Sequence, residues 1–356
     1  MSTVTLSGVD ATPTQTWNRL RVNDTTLEVP APASSKREVV LDGRVARVSC
    51  GAGPEATAWL DAMAPRARLI EVPARTTAHL ELRMDATTPV RSCGIIVGEG
   101  ATVHVTVVAA DAQASKTFGS QLRLVLSARA HVDVTSVVAL GERDQYLDSL
   151  GATLGTGAHL DVTQYLLGAG TSALGSLADL AGDASSARLT MRYLADEAHS
   201  VDFGQQVWQR GHDTRAHIEA SGVVGEHAAK SSRQTIDLRH GCKGSRGQES
   251  EVVVLAGEDV SNRSLPTILC DEEDVAADHG ATIGTVAGEQ LSYLVARGLT
   301  RADAAALVRE SLVRRAADKT HGPAREAVVR FAGTLDADLA ADLVPATSAA
   351  GEATRS

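Results

Sequence analysis

The sequence predicts a mainly β protein, a β-solenoid with helical segments at both ends. Three observations lead there: a repeat of nearly constant period, alternating polar and apolar residues within each copy, and a chain almost without aromatics. The repeat shows in Ala101-Thr-Val-His-Val, Ala130-His-Val-Asp-Val, Ala158-His-Leu-Asp-Val, Ala187-Arg-Leu-Thr-Met and Ala216-His-Ile-Glu-Ala, whose opening alanines recur at an almost even step. Small or aliphatic residues fill the first, third and fifth positions of each copy, as in a strand with one buried face. Only 3 Phe, 4 Tyr and 3 Trp serve 356 residues, so the interior must be built from Ala, Val, Leu and Ile. Such side chains can repeat in ladders at ~4.8 Å without bulky interruptions. A β-sandwich, which also strings short strands together, is the structural alternative.

Residues 1–67 read as an irregular and helical N-terminal region, with the stretch VPAPASSKRE and a short helix PEATAWLDAM whose Pro54 sits in the first turn. Residues 68–284 read as the solenoid core, beginning with the period-2 runs RLIEV, HLELRM, TVHVTVV, LRLVL and HVDVTSVV. GEGA at 98–101 and GTGA at 155–158 belong to the repeat and lead into strands, so they are turns and not phosphate-binding loops. Residues 285–356 turn helical, in EQLSYLVARG, TRADAAALVRESLVRRAAD and PAREAVVRFAG, before a mobile tail. Thr300 with Asp303 forms a capping-box pattern, and Leu307, Val308, Leu312 and Val313 give the following helix an apolar side.

Lys and Arg total 34 against 44 Asp and Glu, and the formal net charge of -10 argues against a nucleic-acid surface. The first residues lack a basic start and an apolar run, and no stretch approaches ~20 apolar residues, so the expected location is the cytoplasm, with no membrane partner. Cys50, Cys93, Cys242 and Cys270 contain no CxxC pair and are expected as free thiols, Cys270 as a buried apolar one. His131, His159 and His217 occupy the same polar position of the repeat, with Arg188 between the second and third, which predicts one solvated row on the outer face. The run Asp271-Glu-Glu-Asp274 reads as a solvated edge. There is no P-loop, HExxH or GxSxG elbow.

One segment stands apart. Leu265-Pro-Thr-Ile-Leu leads through Asp274-Val-Ala-Ala-Asp-His-Gly-Ala-Thr-Ile-Gly284 into Gly288-Glu-Gln-Leu-Ser-Tyr-Leu-Val-Ala-Arg-Gly298. This stretch resembles the C-terminal signature of the SufB/SufD family of iron-sulfur cluster assembly proteins. Ser232-Arg-Gln-Thr-Ile-Asp-Leu, Gly244-Ser-Arg-Gly and Glu251-Val-Val-Val-Leu-Ala-Gly are similar to that family's last coils, and Trp17-Asn-Arg-Leu loosely resembles its N-terminal motif. The resemblance implies a right-handed parallel β-helix flanked by helical ends, in agreement with the solenoid read from the period.

Within that family the SufB branch shows Glu-His-Glu at the histidine and a cysteine at a fixed place upstream of it. Here those places hold Asp278-His279-Gly280 and Glu251, and Ala277 stands where several members carry a cysteine, so the chain resembles the SufD branch. The resemblance implies a non-enzymatic scaffold subunit with no permanently bound cofactor, pairing with a SufB-like paralogue and a SufC-like ABC ATPase and leaving a homodimer open. His279 becomes the candidate at the paralogue interface and for metal, where a transient iron-sulfur cluster could be shared. Leu291, Tyr293, Leu294, Arg297, Gly298, Leu307 and Leu312 become candidates for docking the ATPase. The same helices could simply cap the solenoid. The competing readings are a β-helix carbohydrate-active enzyme, which needs paired carboxylates that the repeat does not bring together, and a generic interaction solenoid.

Overall fold

The computed structural model describes residues 2–14, 22–32, 42–110, 116–257, 259–285, 294 and 296–344. Its N-terminal elements are β1 (Thr3–Val9), β2 (Thr25–Pro30), α1 (Gly43–Ala46) and α2 (Pro54–Met63). From there the chain alternates between two sheets. One contains β3 (Ala67–Val72), β5 (Val90–Val97), β7 (Thr117–Leu126), β9 (Gln145–Leu154), β11 (Thr171–Leu180), β13 (Ser200–Gln209), β15 (Ala229–Leu238) and β17 (Ser261–Cys270). The other contains β4 (Thr77–Met84), β6 (Thr102–Ala109), β8 (His131–Ala139), β10 (His159–Gly168), β12 (Ser186–Ala195), β14 (Arg215–Val224), β16 (Arg246–Leu255) and β18 (Ala276–Thr285). Every strand of these two sheets pairs in parallel with the strand two further along, the geometry of a β-solenoid. Helices α3 (Arg301–Lys319), α4 (Gly322–Leu335) and α5 (Ala337–Leu343) follow.

The two sheets enclose one largely aliphatic core that also takes in Phe118, Tyr146, Tyr193 and Phe203, with Val105, Val134, Val162, Leu189 and Ile218 stacked in a single inner column. The corners stack as well. Arg75, Gly100, Arg129, Gly157, Ala184, Asp213 and Gly244 all have positive φ, between 55° and 76°, and each N–H donates to a carbonyl of the following coil, from Glu99 for Arg75 to Asp274 for Gly244. A left-handed corner at one place in each coil explains the second glycine of GEGA and of GTGA, Gly100 and Gly157. The non-glycine corners accept the steric cost, ~1–2 kcal/mol, for an unbroken ladder.

In one place the strand register departs from the alanine repeat. The paired positions Thr102, His131, His159, Ser186, Arg215, Arg246 and Ala276 step unevenly along the chain, because β12 has slid by two positions from the register that alanine-to-alanine alignment requires: Ala187 pairs with Leu160 and not with Ala158. A slide by two keeps the same side chains inward, so burial does not oppose it. The predicted histidine row is therefore corrected. His131 and His159 stack with ring centroids 4.8 Å apart, but the next position is Ser186, whose hydroxyl lies 2.8 Å from His159 Nδ1. His217 stands instead in a second outer column with Asp161 and Arg188, which begins at the stacked pair His79 and His104.

The N-terminal region is more ordered than expected: β1 and β2 form an antiparallel hairpin. With α2 it covers the outer face of the odd-numbered sheet, burying Leu6, Leu27, Trp59 and Leu60 against Val90, Leu147 and Ala173. Close approach requires glycine in the sheet, since a Cβ at Gly175 would lie 2.1 Å from the Ala52 nitrogen. Arg233, buried in the sheet, ties this layer down by donating to the Val22 carbonyl (2.6 Å) and pairing with Asp202 (2.6 Å).

Helices α3, α4 and α5 cover the C-terminal halves of the even-numbered strands, where Val108, Val137, Tyr165, Leu167 and Val223 meet Val313, Ala316, Ala324 and Val328. The capping box is present: Thr300 Oγ1 accepts from Asp303 N–H (3.1 Å) and the Asp303 carboxylate accepts from Thr300 N–H (3.1 Å). Replacing Thr300 by alanine is expected to cost ~1 kcal/mol, read as faster amide exchange confined to the first turn of α3. Among the described residues no helix is long and apolar enough to cross a membrane.

Candidate functional site

His279 lies in the middle of β18, the last strand of its sheet, and is exposed. Alternation places it on an inner column while Asp278 and Gly280 face outward. That column runs Val105, Val134, Val162, Leu189, Ile218, then Glu249 and His279. Aliphatic residues thus give way to a carboxyl and an imidazole at the open end of the core. Neither β17 nor β18 has a further strand beside it among the described residues. Pro266, which has no N–H to offer a neighbour, sits within β17 as an end strand permits. Ile283 faces inward yet is 48% exposed, because no described coil covers it.

Glu249 is buried, and neither of its carboxyl oxygens has a hydrogen-bond partner among the described residues. Burial pushes its pKa up to about 8, which nearby backbone amides at Ile236 and Thr267 only partly oppose. Its carboxyl is therefore mostly neutral at pH 7.

Two positions on, Glu251 stacks between Ala220 and Ala281, whose small side chains leave room for it. It forms a buried ion pair with Lys230, which reaches across from β15. Lys230 Nζ also donates to Ser232 Oγ (2.7 Å) and Ser264 Oγ (2.9 Å), and stands 5.5 and 5.8 Å from the ring centroids of Phe203 and Tyr193. Ser232 Oγ lies 3.0 Å from Glu251 Oε2. Burial lowers the Lys230 pKa, and the Glu251 carboxylate works against that shift. The position where a thiolate would stand in the SufB pattern is thus taken by a carboxylate already committed to an internal cation.

Among the described residues no three or more His, Cys, Asp or Glu side chains form a group able to hold a metal ion. His279 is, among those residues, an isolated imidazole at a mouth where Glu249 is neutral and Glu251 is paired. The nearest cysteine in sequence, Cys270, is exposed at the end of β17 with its thiol 3.2 Å from the Glu272 carbonyl. The expectation that it is buried is corrected: the last described coil has no neighbour to cover it. All four cysteines are free. The Asp271–Asp274 run forms the turn between β17 and β18, where Glu272 accepts the Gly241 N–H (3.0 Å).

The docking candidates separate. Leu291 and Tyr293 lie outside the described residues. Leu294 is half-buried beside Ala304 and Val308. Arg297 and Gly298 are exposed in the turn before α3, with Gly298 at φ 93°. Leu307 projects outward, 43% exposed, whereas Leu312 packs partly against the sheet. Sequence reasoning missed Lys230 and Glu249. For Glu249 the signal was a carboxylate at an inner position that Val, Leu and Ile fill in earlier coils, whereas the Lys230 column is already mixed, with Tyr146, Ser172 and Val201.

Comparison with known proteins agrees with this architecture. Residues 82–312 match the family model described as SUF system FeS cluster assembly, SufBD core domain. The iron-sulfur cluster assembly protein SufD of Bacillus subtilis is 24% identical over 163 residues, covering 46% of this chain and 37% of that protein. An iron-sulfur cluster assembly SufBD family protein of Synechocystis is 24% identical over 129 residues, 36% of this chain and 27% of the relative. One of Mycobacterium tuberculosis is 28% identical over 120 residues, 34% and 14% of the two chains. The chain therefore spans well under half the length of the curated relatives it matches. With the family model covering most of the solenoid, the chain belongs to the SufBD core family of the SUF iron-sulfur cluster assembly system.

Proposed function

We propose that this chain is a SufD-like scaffold subunit, without catalytic activity of its own, that pairs at its open C-terminal end with a SufB-like paralogue and is driven by a SufC-like ABC ATPase. The observation that carries this reading is the uncovered last coil, which among the described residues leaves two strand edges, the inward-facing Ile283 and the His279 imidazole without a neighbouring coil. Edges of this kind invite strand addition by another chain. The Lys230–Glu251 pair supports the SufD side of the family, because a carboxylate tied to an ammonium is a poor substitute for the thiolates that bind iron strongly. The paralogue then supplies the thiolates, and the nascent cluster is cargo held at the shared interface with His279 as this chain's contribution. The outward Leu307 and the Arg297–Gly298 turn support ATPase docking on the exposed side of α3. A second copy could occupy the same end when the paralogue is absent.

The reading is tested by co-expressing the chain with a cysteine-bearing paralogue and an ABC ATPase. Co-purification of all three is expected. His279→Ala should preserve the complex and reduce cluster formation, followed by the visible absorption of the assembled cluster. Unchanged cluster formation would remove His279 from the mechanism, and failure of the three chains to associate would remove the scaffold reading.

A further inference from the structure

At its opposite end the solenoid carries a cluster of arginines for which the assembly role has no use. Strands β3 and β4 are the first of their sheets. Arg68 stands beside Cys93 on an inner column that continues through Leu122, and Arg91 beside Ser120 on the column leading to the buried Asp148. Both cations therefore lie over the mouth of the core. Arg66 precedes β3, and Arg83 lies on β4.

A pocket of about 140 Å³ opens there, lined by these four arginines with Leu82 and Cys93. A second pocket of about 400 Å³ shares Arg66, Arg68 and Arg91 with it. Elsewhere Arg44, Arg129, Arg210 and Arg239 each pair with a carboxylate. Arg66, Arg68, Arg83 and Arg91 form no ion pair among the described residues, and the side-chain bond of Arg91 goes to the Arg83 carbonyl (3.0 Å). Among those residues Glu81 is the only carboxylate lining the smaller pocket. Burial pushes the Cys93 thiol up to about 11, so the floor adds no negative charge.

Charged residues, inward-pointing ones included, often guard exposed strand edges against aggregation, but a guard does not require four cations gathered around one pocket. Here two guanidiniums project from inner columns into a shared opening, in a chain of net charge -10. Their mutual repulsion is relieved by a multiply charged oxyanion, which planar guanidiniums can grip through paired N–H donors. We propose that the N-terminal mouth of the solenoid is a binding site for an oxyanion of the phosphate class. Carboxylates of an acidic segment offer the same chemistry, and the test separates the two sources.

Isothermal titration of the full chain with inorganic pyrophosphate, in low-salt buffer free of divalent metal, is expected to give saturable binding. Arg68→Gln and Arg91→Gln should each weaken it by about tenfold, Arg68→Lys less, and Arg210→Gln not at all. Unfolding curves for each variant confirm that the fold is retained. Competition by a glutamate-rich peptide at comparable concentration would overturn the phosphate-class assignment in favour of an acidic segment, and no competition would support it. Absence of saturation by millimolar pyrophosphate, or equal affinity in the Arg68→Gln and Arg91→Gln proteins and the wild type, would overturn the proposal.

Discussion

Replacing Lys230 by methionine is expected to lower the unfolding free energy by about 3–5 kcal/mol, the usual cost of stranding one member of a buried ion pair. Lys230 has no exposed surface and Glu251 is 4% exposed, so water cannot replace the lost ammonium. The hydroxyls of Ser232 and Ser264 were turned to the Lys230 ammonium and would have to reorient. The double variant Lys230→Met with Glu251→Leu should recover most of the loss, because no charge is then left buried. The midpoint of urea unfolding, followed by circular dichroism, reads both. A Lys230→Met protein as stable as wild type would mean that the Glu251 charge is relieved by solvent at the open end.

The second large effect depends on pH. With its folded-state pKa raised to about 8 against ~4.3 for an unfolded glutamate, Glu249 holds its proton in the folded protein over a range where the unfolded chain has released it. Stability from this group is therefore fully present below pH ~4.3 and is lost as pH rises towards 8. Glu249→Gln cannot ionise. Relative to wild type it should gain stability between pH 5 and 8, by at most ~1.4 kcal/mol per unit and on the order of 4 kcal/mol across the full range. Asp148, also buried and raised to about 7, acts with the same sign but is common to both proteins and cancels from the difference. Parallel stability curves for the two proteins would refute the neutral, buried state of Glu249.

Both predictions concern the last covered coil. Earlier coils fill the Glu249 column with Val, Leu and Ile, whereas the columns of Lys230 and Glu251 already hold Tyr146 and Ser172, and Ser136 and Gln164, in earlier coils. A buried carboxyl is costly when charged, and the raised pKa of Glu249 keeps it mostly neutral at that end.

Much of the architecture was legible in the chain itself. Alternation within each copy and a near-constant repeat are local properties, and together they require strands with one inward face and coils that stack. The stacking also explains why so few aromatics are needed. The Thr300 capping box, the helix at Pro54 and the glycine corners follow from chemistry within a few positions, and His279 stood out through the motif around it. What the sequence could not decide depends on slides and on distance. A shift of β12 by two positions leaves the same face buried, so no hydrophobic signal reports it, and only the folded sheet separates His217 from His131 and His159. Exposure of Cys270 depends on whether another coil lies beyond it. Lys230 and Glu251 come from opposite sheets and from different strands, and the arginines of the N-terminal mouth meet across strands that a loop separates. Periodicity determines which way a side chain points, whereas its partner across the core is set only when the two sheets close on each other.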